Sequence, residues 1–545
     1  MKSLKRYFLK YCMVFFSFFF SPFIVQAQIP VYNAHGWQLQ DYRQDSVYGA
    51  SVNRAYDELL NGKKANDVIV ALIDGGLDTA HEDLIGHIWT NKGEIPDNGI
   101  DDDHNGYVDD LHGWNFLGGK NGKNIVIESF ESYREYFQLK SNTGEKGFSG
   151  KFRDSAYREK VRKYFLKDSI MQVQAVNSFT QVIPQMRNAD SIFKSNLHKD
   201  SVYARDIMDF QPKDSVFSVL KKNTQMYFRK YGIMPEMSLG RFINEAEASL
   251  HSSELKLNDF SSDPNALRRE IVGDDFNNPL DTNYGNNNIA AGNPSHGTHV
   301  AGIIAASRHN GKGMDGIDDH VYIMAIRAVP DGDERDKDVA LAIRYAVNNG
   351  ARLINMSFGK SLSPGKKWVD EAIQYAEDHD VLIIHSAGND SRNIDSFPNY
   401  PEPGETLKSG SFITVGANTG GPDSLIAARF SNYGKRGVDF FAPGSKIYST
   451  VTGNQYAAYS GTSMAAPVVT GIAALILEYY PQLSAKQVKD ILRQSVFKIP
   501  EKHVKWAMTG RMIDFSQLCA TGGIVNAYNA LQLAATLKGE RKQME

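Results

Sequence analysis

From position 67 the chain reads Asp-Val-Ile-Val-Ala-Leu-Ile-Asp-Gly-Gly, an unbroken apolar run that ends on a carboxylate and two glycines. A run without polar alternation is the pattern of a strand covered on both faces, as parallel sheets require. Similar runs recur at 321–329, 351–356, 381–385 and 412–415, and helical patterns at 339–349 and 369–379 lie between them. Strands alternating with helices predict an α/β fold, a mainly parallel sheet flanked by helices on both faces. Further helices are expected at 465–480, 484–495 and 525–537, ahead of a charged tail, 539–545. With 545 residues, 42% of them hydrophobic, the chain has material for a large core, which excludes disorder over most of its length. Sixty basic against 63 acidic residues leave a net charge of -3, without the positive excess of a nucleic-acid binder.

The first residues read as an address. Lys2, Lys5, Arg6 and Lys10 precede an apolar stretch, 11–25, and Val25-Gln26-Ala27 is a small-residue cleavage pattern, so 1–27 is expected to be a signal peptide and Gln28 the mature start. An uncleaved anchor is the alternative, but the run is short for a bilayer and contains Pro22. No later stretch reads as a membrane span, and the product is expected in the periplasm or outside the cell. Cys519 is then the only mature cysteine, so no intramolecular disulfide is expected.

Residues 118–269 differ in character, being rich in Lys, Asp, Glu and Ser and lacking strand-like runs. Tyr157, Val161, Tyr164, Met171, Ala175, Phe179 and Val182 recur at helical spacing until Pro184 interrupts, and Asp214-Ser215 reads as a second helix start. This segment is expected to be a mostly helical insertion separating 28–117 from 270–538, its charges forming a solvated face in preference to a partner's docking surface.

Reactive side chains occupy glycine-punctuated turns. Asp74 ends the first strand, where ligand crevices of α/β sheets open. His296 stands in Ser-His-Gly-Thr-His-Val-Ala-Gly, Ser463 in Ser-Gly-Thr-Ser-Met-Ala-Ala-Pro, and Asn389 in Ser-Ala-Gly-Asn-Asp. Acyl transfer needs this set: a hydroxyl nucleophile, an imidazole base, a carboxylate that orients it, and an amide donor for the developing oxyanion. Each residue alone reads equally as a cap or a turn former, but one mechanism accounts for all four positions. His299 lacks a companion carboxylate at metal spacing and reads as a core residue.

These motifs, in this order, resemble those of the subtilisin family of serine proteases (subtilases), over about 40–117 and 270–535. The resemblance implies a subtilisin-like fold and an exported serine endopeptidase that works through an Asp74-His296-Ser463 triad and an acyl-enzyme. It also implies a substrate cleft with Ser357, Phe358 and Gly359 as one wall and Ala387, Gly388 and Asn389 as the other, while 331–338 takes the place of the opposite edge strand. Partners are expected to be protein or peptide substrates, with no nucleic acid and no stable membrane span after signal cleavage. Gly75 departs from the family pattern of Ser, Thr or Asp after the catalytic aspartate, which removes one orienting hydrogen bond from Asp74. Nor is there room after Gln28 for the family's usual propeptide. The alternative is a catalytically silent subtilase-like scaffold whose insertion binds a partner or covers the cleft.

The stretch 101–110 places oxygen-bearing residues at alternate positions: Asp101, Asp103, Asn105, Tyr107 through its carbonyl, Asp109, and next to it Asp110. With Gly106 sixth, that spacing suits a structural calcium loop, although His112 stands where the full pattern needs a carboxylate. Asp83 and the 310–316 loop also resemble parts of a subtilase calcium site.

Overall fold

The 67–76 run forms β1 (Val68–Asp74), with only Ile69 less than fully buried. In the computed structural model the described residues are 35–142, 150–260, 262–403, 409–421, 425–500, 503–505 and 510–541. The expected signal peptide lies outside them. The remaining strands are β2 (Gly113–Asn115), β3 (Val321–Arg327), β4 (Leu353–Met356), β5 (Leu382–Ser386), β6 (Phe412–Asn418), β7 (Phe440–Pro443), β8 (Ile447–Val451), β9 (Gln455–Tyr459), β10 (Phe497–Lys498), β11 (His503–Lys505), β12 (Met512–Asp514) and β13 (Gly523–Ile524). Nine of them make one sheet in the order β10-β13-β7-β6-β5-β4-β1-β3-β2. Every neighbouring pair is parallel except β10 with β13. From β1 the chain reaches β3 on one side and β4 on the other, so the order reverses at the carboxyl end of β1 and leaves a crevice there.

The helices are α1 (Glu131–Ser141), α2 (Ser155–Leu197), α3 (Ala204–Asp209), α4 (Ser215–Tyr231), α5 (Leu239–Asp259), α6 (Ala266–Ile271), α7 (Ser295–Ala305), α8 (Asp336–Asn348), α9 (Lys366–Asp378), α10 (Thr462–Tyr479), α11 (Ala485–Gln494) and α12 (Ala527–Ala534). Helix α10 is long and apolar enough to cross a membrane, contrary to the reading that no later stretch is, but it lies buried against β4, β5, β6 and β7. Asp214 caps α4 by accepting from the Phe217 N–H at 2.9 Å, as its sequence indicates.

Two expectations for the insertion are corrected. Pro184 does not interrupt α2, which runs unbroken for 43 residues. The proline costs about 3 kcal/mol, offset by burial of Val182, Ile183, Met186 and Phe193 on both sides of it against α3, α4 and α5. Nor are the charges simply a solvated face. Glu128, Glu131, Arg134, Lys256 and Arg268 are buried, because they pair where the insertion meets the sheet domain. Arg268 binds both carboxylate oxygens of Asp338 (2.7 and 2.8 Å) and Asp274 (2.6 Å). Lys337 reaches Asp274 at 2.8 Å, and Lys360 reaches Glu131 at 2.8 Å and Asp336 at 2.9 Å.

Candidate active site

Asp74 ends β1, and its Oδ1 lies 2.8 Å from His296 Nδ1 in the first turn of α7. The helix comes this close because residue 297 is glycine: a Cβ there would sit 2.0 Å from the Gly76 carbonyl oxygen. Asp74 Oδ1 also accepts from the Gly75 N–H at 2.7 Å, whereas the buried Oδ2 has no protein partner among the described residues. Burial works to lower the His296 pKa, but the Asp74 charge and hydrogen bond outweigh it and hold it above the ordinary value. The His296 side chain remains 44% exposed, open to a reactant.

Arg327, paired with Asp74 in the β1–β3 register, steadies the turn from behind. Its buried guanidinium donates to the Gly75 carbonyl (3.1 Å), Asn115 Oδ1 (3.0 Å) and the Ile125 carbonyl (2.6 Å). It has no carboxylate partner among the described residues, and burial pulls its pKa down to about 10. His299 is a core residue, as expected. It bonds the Ile447 and Ala457 carbonyls at 3.0 Å and stacks on Tyr459, and burial lowers its pKa to about 3.

Ser463 is the second residue of α10, so its N–H is one of the free amides at a helix start. Its hydroxyl donates to the Ser357 carbonyl at 2.9 Å, and Ser357 Oγ donates back to the Ser463 carbonyl at 2.9 Å. Among the described residues the Ser463 hydroxyl makes no bond to His296. Asn389 lies against the same turn, its Oδ1 accepting from the Thr462 N–H (2.8 Å) and hydroxyl (3.0 Å), which leaves the amide NH₂ as its free donor end. Thr462 Oγ1 in turn accepts from the Gly388 N–H at 3.0 Å.

The two expected cleft walls face one another across Asn399. A Cβ on Gly359 would lie 2.4 Å from Asn399 Nδ2, and one on Gly388 would lie 3.2 Å from Asn399 Cγ. The Phe358 carbonyl is held by His385 Nε2 at 2.8 Å, and Ala387 is fully buried. Thr462, Arg327 and Asn399 escaped the sequence reading. Thr462 at least sits inside the Gly-Thr-Ser motif, whereas nothing local marks the other two.

In the acidic loop, carboxylate oxygens of Asp101, Asp103 and Glu94 lie within 4.8 Å of one another. Glu94, outside the loop pattern, was not foreseen; burial raises its pKa. Asp109 accepts instead from the Asn98 and Gly99 N–H groups, at 3.1 and 2.9 Å. Asp110 is buried beneath the loop and bonded by Asn91, Asn105 and Tyr345, and burial pushes its pKa up to about 6. The Asn105 amide donates to Asp103 (3.2 Å), while the Tyr107 ring packs against Trp114 and Tyr345.

A model of the subtilase family matches residues 65–517. The chain belongs to the subtilase family. Members of this family are serine endopeptidases, and the relatives include proteins named as a serine proteinase and as proteases. A thermophilic serine proteinase of Bacillus sp. (strain AK1) is 30% identical over 329 residues, 60% of this chain and 73% of that protein. Thermitase of Thermoactinomyces vulgaris is 32% identical over 273 residues, half of this subtilase and 85% of thermitase. A cell wall-associated protease of Bacillus subtilis (strain 168) is 39% identical over 212 residues, which is 39% of this chain and 22% of that much longer one.

Proposed function

We propose that this subtilase hydrolyses peptide bonds through Ser463, with His296 as general base, Asp74 as its orienting carboxylate, and Asn389 with the Ser463 N–H as oxyanion donors. The observation that carries the reading is the Asp74–His296 hydrogen bond. With Nδ1–H donating to Asp74, the Nε2 lone pair points away from the carboxylate and is free to take a proton. Rotation of the Ser463 hydroxyl from the Ser357 carbonyl toward Nε2, one staggered well to another, arms the nucleophile. Attack on the scissile carbonyl gives a tetrahedral intermediate, and its collapse expels the amine, protonated by His296, to leave an acyl-enzyme. Water activated by the same imidazole then releases the acid product. Ser357, Phe358 and Gly359 on one side and Ala387 and Gly388 on the other receive the substrate chain.

Glu94, Asp101 and Asp103 are hard anionic oxygens at a separation that suits a calcium ion, whose role there is structural. The basic and apolar N-terminus, together with a relative named as cell wall-associated, supports export. The test of the catalytic reading is labelling by a fluorophosphonate, which reacts only with an activated serine. Wild type should label, and Ser463→Ala should not label and should lose several orders of magnitude in turnover. Equal labelling of the two would sink the assignment.

A further inference from the structure

The insertion does more than project from the sheet domain: two of its helices rest on opposite sides of the cleft. On the side of the oxyanion turn, Lys167 of α2 pairs with Asp390, the neighbour of Asn389, at 2.8 Å. On the other side, Lys256 of α5 pairs with Asp331, at the start of the opposite edge, at 2.6 Å. Beside these anchors Phe165 of α2 meets Phe260, the residue that caps the end of α5, with ring centroids 5.3 Å apart, and Tyr133 of α1 packs on Phe260 at 5.1 Å. A third anchor lies toward the histidine. Arg241, at the opposite end of α5, donates to Gln455 Oε1 and the Tyr456 carbonyl, both at 3.4 Å, on the strand that leads into the Ser463 turn.

From Arg241 to Lys256 the helix extends about 22 Å at 1.5 Å per residue, the length of roughly six or seven residues of extended peptide. The reactive groups are not sealed off, since the His296 side chain is 44% exposed and Asn389 is exposed.

We infer that the α2–α5 pair bridges the cleft and makes it a passage, so that the substrate class is flexible polypeptide with a free end, threaded beneath the bridge, in preference to loops held at both ends by folded domains. The inference rests on the protease reading above. A groove open along its length accepts a tethered loop and a free tail alike; a bridged one accepts only the tail unless its anchors release. The Lys167–Asp390 anchor is an exposed ion pair of the kind worth about 1 kcal/mol or less, and buried Lys256 leaves only a half-exposed Asp331 behind when it is removed, so removing the anchors should loosen the bridge without unfolding the enzyme.

The experiment uses one cleavable flexible sequence in two settings, as a free tail on a stable folded domain and as a linker between two such domains. The wild-type enzyme should cut the tail at least about 10-fold faster, as kcat/KM. The triple variant Lys167→Ala, Arg241→Ala, Lys256→Ala should bring the ratio to within about twofold of unity while its rate on the isolated peptide stays unchanged. Equal wild-type rates on tail and linker, or a ratio that the triple variant leaves where it was, would overturn the bridge alone. Wild-type enzyme that cuts neither substrate and takes no fluorophosphonate label would overturn the protease reading and the inference together.

Discussion

The central sheet and the junction that seats the insertion upon it both bury their side chains, yet opposite forces hold them. Strands β1, β4, β5 and β6 exclude water with aliphatic side chains such as Val70, Ile354, Ile383 and Ile413, all at most 1% exposed. At the junction, Glu131 of α1, Arg268 of α6 and Lys337 and Asp338 of α8, with Asp274 and Lys360 from the loops, are buried as well, but as ion pairs. Apolar burial is non-directional, stabilises by about 25 cal/mol per Å², and tolerates changes of shape. A buried ion pair repays its desolvation only when every partner is in place. The position of the insertion is therefore specified at its base by a few charges, and the fold of the sheet by many interchangeable side chains.

The proposed catalytic groups belong to neither regime: Asp74 ends β1, His296 and Ser463 stand in the first turns of α7 and α10, and Asn389 lies in the loop after β5. His296→Ala should consequently lower turnover on a peptide by several orders of magnitude, about as much as loss of Ser463, and Asn389→Ala by roughly 10²–10³. Both should unfold in urea at the wild-type midpoint. A His296→Ala enzyme that kept its rate would remove the histidine from the mechanism; a large stability loss would show that the site does hold the fold together.

At the junction the ranking reverses. Arg268→Met leaves the carboxylates of Asp274 and Asp338 buried with fewer partners and should cost about 3–5 kcal/mol, whereas Ile354→Val in β4 should cost about 0.5–1.5 kcal/mol. Denaturant midpoints at constant m-value give the comparison directly. Should the two variants prove equally mild, the charges at the junction are better solvated than their burial implies, and the contrast between the regions collapses.

The same contrast explains what the sequence makes legible. Strands β1, β3, β4, β5 and β6 announce themselves because burial on both faces demands uninterrupted apolar runs, and Asp74, His296, Asn389 and Ser463 because their turns demand glycines beside a reactive group. Strands β10 and β13, two residues each, are too short to show a period. The partnership of Arg268 with Asp338, 70 positions away, is set by topology, so the composition that looks like a solvated face conceals a buried network. Pro184 misleads for a related reason: local propensity is overridden by apolar contacts from α3, α4 and α5. Glu94 is invisible in the acidic loop because it comes seven residues before the pattern begins.

Calcium supplies an intermediate case, in which a cation from solution would play the part that Arg268 plays at the junction. Chelation should lower the melting temperature and added calcium restore it, with about 2.7 kcal/mol at stake when the ion is in hundredfold excess over its Kd. Asp101→Asn with Asp103→Asn should abolish the response. Identical melting curves in chelator and in calcium would dismiss a stabilising ion in the loop.

Among the exceptions to the apolar rule in the sheet domain is a buried acidic pair, and it yields the smallest expected effect. Asp318 and Glu478 are both buried. Half-exposed His320 lies beside them, its Nε2 3.9 Å from Glu478 Oε1. Burial raises the pKa of each carboxyl, and for Glu478 the charge and hydrogen bond of Asp318 raise it further, so the native pair keeps a proton that the unfolded chain gives up above the ordinary carboxylate range. Where the folded state binds the extra proton, stability is complete below the unfolded pKa and falls as pH rises toward the native one, by about 1.4 kcal/mol per pH unit for one proton. Glu478→Gln keeps the shape and needs no proton, so its stability should fall less steeply from pH 5 to 8 and should exceed that of wild type at the upper end. Urea titrations at each pH measure both slopes. Parallel slopes would mean that the pair ionises freely in the native protein, and that the sheet domain, like the junction, accommodates buried charge.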